Sequence, residues 1–197
     1  MDPYLVLALV LLLFAAAAAG PSLLGRERLA WSCAGEILLW GILLLAAAWA
    51  VRLPSPFVYL VALYLVTMRA RLLVDAANLI AARRHPLAFA LYTLALHVAL
   101  NPLDRASVQI NRGAALLHSG RAAEAVAELE RVLACQRLGP RLEAAVRCNL
   151  GLAYLQQGDL QSSRAELQQA AAALPSSVYG QRARVALQRL EAPQAEG

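Results

Sequence analysis

Lysine is absent from this chain: its 18 basic residues are all arginine, set against 13 acidic ones for a formal net charge of +5. Charged residues of either sign make up 16% of the 197 residues and aromatics 6%. No stretch combines clustered cations with aromatic stacking residues, which excludes a nucleic-acid surface of that kind. Cysteine is scarce and odd in number, with Cys33, Cys135 and Cys148. None of them has CxxC spacing, so a disulfide framework is not expected and the thiols read as small apolar residues. His85, His97 and His118 lie far apart and lack the spacing of a zinc ligand set. The sequence also lacks a Gly-rich phosphate loop, a GxSxG elbow and an HExxH pair. No catalytic residues, metal or cofactor are therefore expected, and the chain does not read as an enzyme.

Apolar residues are in excess. They make up 60% of the chain, against ~45–50% in an average soluble domain, and they concentrate before about residue 100. Tyr4 to Ala19 carries no charge and covers roughly 24 Å as a helix. The leading "MDP" has an acid and no arginine, which favours a retained helix over a cleaved signal peptide. A second span, Trp31 to Val51, has Trp31 and Trp49 near its ends, where indoles prefer the headgroup level. Glu36 is its one charge. It reads as capped by Arg26 or Arg28 near the interface, the alternative being an ion or proton site. Pro54 and Pro56 mark a turn. The third segment, 56–70, is apolar for about a dozen residues before Arg69 and Arg71, and it crosses only if those arginines snorkel.

Residues 1–70 thus read as a transmembrane region with helices at about 4–19, 31–51 and 56–70. Arg26 and Arg28 lie in the first connection, Arg52 alone in the second, and Arg69, Arg71, Arg83 and Arg84 after the third segment. Three spans put the arginine-rich segments on one side of the bilayer; two would split them. By the positive-inside rule the N-terminus is outside and everything after residue 70 is cytoplasmic, at a bacterial inner membrane.

The second half repeats itself. "NRGAALLHSGRAAEAVAELERVL" aligns with "NLGLAYLQQGDLQSSRAELQQAA", pairing Asn111 with Asn149, Gly113 with Gly151, Gly120 with Gly158 and Leu129 with Leu167 at an offset of 38 residues. Leu150-Gly151, Tyr154, Gly158-Asp159, Leu167, Ala170 and Pro175 fall at the positions of a 34-residue helix–turn–helix unit. On these residues the chain resembles the tetratricopeptide repeat (TPR) family. The first copy departs at Arg112 and Arg137, where the family has leucine and proline. The resemblance implies an all-α chain, with N-terminal transmembrane helices followed by a short TPR-like α-solenoid. Its units are 106–139 and 144–177, with a capping helix at 178–191 and a disordered tail at 192–197. Residues 71–104 are either a degenerate unit, with Asn78 where glycine belongs, or a membrane-associated helical hairpin.

The acids Glu124, Glu128 and Glu130 alternate with apolar residues and read as a solvated helix face. The resemblance implies a partner-binding groove lined by the first helices. It would include Ser107, Ile110, Asn111, Ala114, Leu117 and His118 from one unit, and Cys148, Asn149, Leu152, Leu155 and Gln156 from the next. Ile110, Ala114, Cys148 and Leu152 occupy the places where the family's carboxylate-binding members carry cations. An apolar or amphipathic helix is therefore the expected ligand. The expected function is a membrane-anchored scaffold that binds protein partners at the cytoplasmic face, with a structural subunit of a larger membrane complex as the alternative.

Overall fold

The computed structural model describes residues 3–23, 30–51, 55–81, 85–135 and 138–191. These form ten helices, with no strand among the described residues. The tail 192–197 and Arg26, Arg28, Arg52, Arg83, Arg84 and Arg137 lie outside them.

Helices α1 (Pro3–Leu23) and α2 (Ala30–Val51) are apolar all round, and each is long enough to cross a membrane. They pair as a hairpin. Leu7, Leu11 and Ala15 of α1 meet Ile37 and Ala48 of α2, joined by Tyr59 and Leu63 of α3 (Pro56–Thr67). The Tyr59 hydroxyl donates to the Gly41 carbonyl at 3.1 Å, which satisfies a buried polar group in an apolar setting. Elsewhere the outer faces carry uncovered apolar side chains, Leu13, Leu43 and Trp49 among them.

The third segment is shorter than its sequence pattern promised. α3 ends at Thr67 rather than at 70. Its 12 residues cover roughly 18 Å, well under the ~30 Å hydrocarbon core. After Met68 the chain turns by 67° into α4 (Arg69–Ala81), so a third crossing exists only if α3 and α4 count as one bent span.

The turn is set by Arg69. Its guanidinium pairs with Glu36 of α2 and donates to the Val66 carbonyl. Its Nε donates to the Val98 carbonyl at 2.8 Å, and it lies 5.8 Å from the Trp40 ring centroid. Asn101 completes the joint. Its side-chain amide donates to Glu36 Oε2 at 2.6 Å and to Asp104 Oδ2 at 2.8 Å, while its own oxygen accepts from the Asp104 backbone N–H. That last bond makes Asn101 the N-cap of α6 (Pro102–His118). Burial pushes the Asp104 carboxyl above the usual carboxylate range, and the Asn101 bond works against that rise. The expected partners of Glu36, Arg26 and Arg28, lie outside the described residues; among the described ones its partners are Arg69 and Asn101.

The remaining helices are α5 (His85–Val98), α7 (Ala122–Cys135), α8 (Pro140–Gln157), α9 (Leu160–Ala173) and α10 (Val178–Glu191). α4 pairs with α5, α6 with α7 and α8 with α9. First helices also pack in a row, α4 on α6, α6 on α8 and α8 on α10, whereas α5, α7 and α9 do not pack on one another. The stack therefore curves, with the first helices on its inner side.

Two features make each hairpin tight. A Cβ built on Gly151 would fall 2.7 Å from Leu167 Cγ and 3.1 Å from the Ser163 carbonyl oxygen, and Gly113 faces Leu129 in the same way. The turn at Gly158 has φ of 84°, a left-handed conformation that favours glycine, and Asp159 Oδ1 then caps α9 by accepting from Ser162 N at 3.0 Å. The α4–α5 hairpin closes differently. Ala77, Ala88 and Ala95 are buried at its crossing, so the small residue is Ala77. Asn78 instead turns toward α6, bonded to Asn111.

The departure at Arg112 has a partner. Glu128 is 5% exposed and lies 3.6 Å from the Arg112 guanidinium, so it is not part of a solvated face. Glu130 accepts from the Tyr154 hydroxyl at 2.6 Å, which ties α7 to α8 and pushes the phenol up to about 12. Glu124 and Glu130 are both exposed, Glu124 paired with Arg121, so of the three only Glu128 leaves the solvated face.

Two stability measurements follow from this packing, each on the full chain in lipid nanodiscs. Gly151→Leu overpacks the α8–α9 crossing and should cost about 1–3 kcal/mol, lowering the helical melting temperature. Gly35→Leu, with nothing near its Cβ, should leave that temperature unchanged. Arg69→Met should cost about 3 kcal/mol by leaving Glu36 unpaired. Adding Glu36→Gln should restore part of the loss, because paired sites are not additive. Strict additivity would show that the pair does not join α2 to the stack.

Candidate partner-binding groove

The inner row of helices encloses a cavity of about 440 Å³. Its floor comes from the stack. α4 contributes Ala70, Arg71, Val74, Asp75 and Asn78; α6 contributes Leu103, Asp104, Ser107, Val108, Ile110 and Asn111; α8 contributes Arg141, Leu142 and Ala145; α10 contributes Tyr179. Its remaining wall is Cys33 and Ile37 of α2 with Thr67 and Met68 at the α3–α4 turn. The cavity thus occupies the end of the groove where the repeat stack meets the apolar helices, held there by the Glu36–Arg69–Asn101 joint.

Of the residues expected in the groove, Ser107, Ile110 and Asn111 line this cavity. Ile110 is largely buried in the α6–α8 core, with its edge on the cavity. Ala114, Leu117, His118, Leu152, Leu155 and Gln156 belong to the C-terminal halves of α6 and α8, away from the cavity. His118 and Gln156 are exposed there and the other four half-buried.

Cys148 and Asn149 are corrections. Both are buried, and Cys148 packs with Leu167, Ala170, Ala183 and Ala186 beneath α10. Burial raises the Cys148 thiol above its ordinary range, as expected of an inert core cysteine. Leu152 also packs against this cluster. The expected open leucine face is thus partly covered by α10, which packs on α8 as a further first helix would.

Asn111 is already engaged. Its amide donates to the Ser107 carbonyl at 2.8 Å, and its oxygen accepts from the Asn78 amide at 3.3 Å. Asn78 in turn accepts from the Tyr92 hydroxyl at 2.5 Å. A ladder of polar side chains therefore crosses from α5 through α4 to α6 along the cavity wall. Cations do line the cavity, but they come from Arg71 and Arg141 rather than from positions 110, 114, 148 and 152. Arg71 lies 3.9 Å from Asp75. The cavity is amphipathic, with Ile37, Val74, Val108 and Leu142 set among carboxylates, guanidinium groups and amides. Such a surface can accept a chain segment with both apolar and polar side chains.

Sequence reasoning missed the α4 residues, although a repeat unit starting at 71 would have placed several of them in the groove. It also missed Tyr179, which needed α10 to be read as an inner helix. The α2 wall had no local signal at all. Among the described residues no group of three His, Cys, Asp or Glu side chains could hold a metal ion. His97 is exposed, with Nδ1 at 2.8 Å from the Thr93 carbonyl.

No curated protein and no solved structure matches the chain. One family model does, described as Tetratricopeptide repeat, over residues 104–176. That range runs from the first turn of α6 to just past α9, covering both glycine–leucine crossings and both left-handed turns. The segment 104–176 is therefore similar to tetratricopeptide repeats, within an all-α chain that opens on two long apolar helices.

Proposed function

We propose that this chain is a membrane-anchored adaptor whose repeat stack binds a protein partner at the cytoplasmic face. One observation carries the reading: the inner groove is walled at one end by α2, so an occupant is held against the foot of the anchor. Repeat stacks of this family are protein-binding scaffolds, and the cavity's mixed lining favours an amphipathic helix or peptide over a purely apolar one. α4 and α5 are best read as a first, degenerate unit. Their hairpin packs on α6 as each later unit packs on the next, although the family match begins only at 104. The units 106–139 and 144–177 and the capping helix 178–191 complete the stack.

Sidedness follows from the arginines. Glu36 lies near the start of α2 and touches the stack, and α1 pairs antiparallel with α2. The connection carrying Arg26 and Arg28 is then on the same side as Arg69 and Arg71, which the positive-inside tendency places in the cytoplasm. A reporter active only outside the cytoplasm should be silent when fused after residue 197 and active when fused after Pro54. Activity of the C-terminal fusion would place the repeats outside and overturn this topology.

The groove itself is tested by filling it. Ser107→Trp projects an indole into the cavity from a half-buried position, and Gln168→Trp places the same group on the outer face of α9. Tagged full-length chains are purified from their host membrane in mild detergent, with circular dichroism checking the fold. Ser107→Trp should reduce recovery of the co-purifying protein by roughly tenfold or more, the effect of losing about 1.4 kcal/mol or more, while Gln168→Trp should not. Unchanged recovery, with membrane subunits present in equal amounts, would favour the structural-subunit reading, in which partners pack on α1 to α3.

A further inference from the structure

The second helices of the three hairpins should all present a polar face outward, and one of them does not. On α7 the exposed positions include Glu124, Glu130 and Arg131, and on α9 Gln161, Arg164, Gln168 and Gln169. Those are the faces of helices in water. Residues 86–100, in and just after α5, contain no aspartate, glutamate, arginine or lysine. Their exposed positions are Pro86, Leu87, Ala90, Thr93, Leu94, His97 and Leu100, and the two polar ones, Thr93 and His97, bond back to carbonyls of their own helix.

The stack is therefore asymmetric from end to end. At its C-terminal end α10 exposes Gln181, Arg182, Arg184, Gln188 and Arg189, the polar outer face that a terminal unit needs in water. At its N-terminal end, helical spacing places Arg69, Leu73, Ala76 and Ile80 on one flank of α4, and Leu87, Leu91, Leu94 and Val98 on one flank of α5. This flank is turned away from α6, because Asn78 and Phe89, on the opposite sides of their helices, meet Asn111 and Leu116. Past Arg69 and Val98 it is wholly apolar, with Leu87 and Leu94 exposed and Leu73, Ala76, Ile80 and Leu91 half-buried at the edge of the hairpin's own core. Patches of this kind on native proteins are covered by something.

The structure indicates the cover, because the flank is continuous with the membrane anchor. Its first members are Arg69, paired with Glu36 of α2, and Val98, whose carbonyl accepts from Arg69. α2 therefore meets the flank at one end, and the apolar residues run outward from that contact. α4 also leaves α3 at 67°, so it does not continue the direction of that apolar helix. α5, at 14 residues, covers roughly 21 Å and is too short to cross. Helices with one apolar face lie in the interface plane instead.

We propose that the α4–α5 hairpin is seated in the lipid–water interface through Leu73, Ala76, Ile80, Leu87, Leu91 and Leu94, so that lipid caps the N-terminal end of the repeat stack. This rests on the membrane-anchored reading above and adds to it. The stack is then held at the membrane along the whole length of its first hairpin, beyond the joint at Glu36, and the groove opens beside the headgroups.

Site-directed spin labelling of the full chain tests this. Cys33 and Cys135 are replaced by alanine; fully buried Cys148 stays in place. Single cysteines are introduced by Leu87→Cys or Leu94→Cys, with Leu43→Cys on the outer face of α2 and Gln168→Cys on α9 as references, and circular dichroism confirms the fold. The purified protein is reconstituted into vesicles of neutral and anionic phospholipid. Collisions of each label with oxygen, which concentrates in lipid, and with a water-soluble nickel chelate are compared. Labels at 87 and 94 should give an oxygen-to-nickel ratio several-fold above that at 168 and approaching that at 43. Ratios at 87 and 94 equal to that at 168, with 43 still in lipid, would overturn this proposal and leave the anchor intact. A water-like ratio at 43 as well would overturn the anchor itself, and the proposal with it. Dipolar broadening between labels at 94, with poor access to both reagents, would show that a second copy of the chain covers the flank instead of lipid.

Discussion

The ion pair between Glu36 and Arg69 decides where everything else stands. A carboxylate one turn inside an apolar helix is costly unless a cation and hydrogen-bond donors reach it. Here the cation is the first residue of α4, and the second donor is the N-cap of α6. One acid therefore fixes two helix starts at once. Arg69 also donates to the end of α5 through the Val98 carbonyl, so three elements of the stack converge on a single residue of α2. A flexible linker would let the repeats swing beneath their anchor. This joint instead holds the inner groove against α2, which is why Cys33 and Ile37 line a cavity otherwise built by the repeats.

The repeats show how much a helical hairpin tolerates once its crossing is right. In the two later hairpins glycine on the first helix admits leucine from the second. In the first the same closeness comes from alanines, with Ala77 against Ala88 and Ala95 fully or nearly fully buried. The position freed from packing, Asn78, carries a polar contact to the next unit. Arg112 is a similar exchange. The leucine that fills this place in the second copy, Leu150, is buried; the arginine of the first reaches Glu128 on its partner helix and draws that acid into the interior.

Local patterns in the sequence were enough to read the helices. Two long apolar runs, a pair of matched glycine–leucine spacings and glycine-ended turns point to α1, α2 and the hairpins of the family match, because each depends on residues within a few turns of one another. What failed depended on contacts between distant elements. The pairing of Glu36 with Arg69, 33 positions away, had no local signal, because only the α2–α3 hairpin brings the end of α3 back to the start of α2. Leu152 and Cys148 sit at groove positions by register, yet α10 packs on that stretch of α8. Glu128 followed the periodicity of a surface acid, and only the position of Arg112 across the hairpin accounts for its burial. Ser107, Ile110 and Asn111 line the inner cavity, where both their register and their neighbours put them.

A short stack faces a general difficulty, because each hairpin buries one side and leaves the next open, so that about three units are usually needed. The family match covers two. The chain supplies the missing neighbours from both directions. On one side α10 packs on α8 and α9 as a further first helix would, burying Ala183 and Ala186. On the other, α4 and α5 share a core with Val108 and Ala115 of α6, and α2 reaches α6 through Asn101. The inner row thus runs from the apolar helix α2 through four stack helices without a break. A repeat segment this short gains a first neighbour that is itself tied to α2, and the same contact gives its groove a wall that a free-standing stack of this kind would lack.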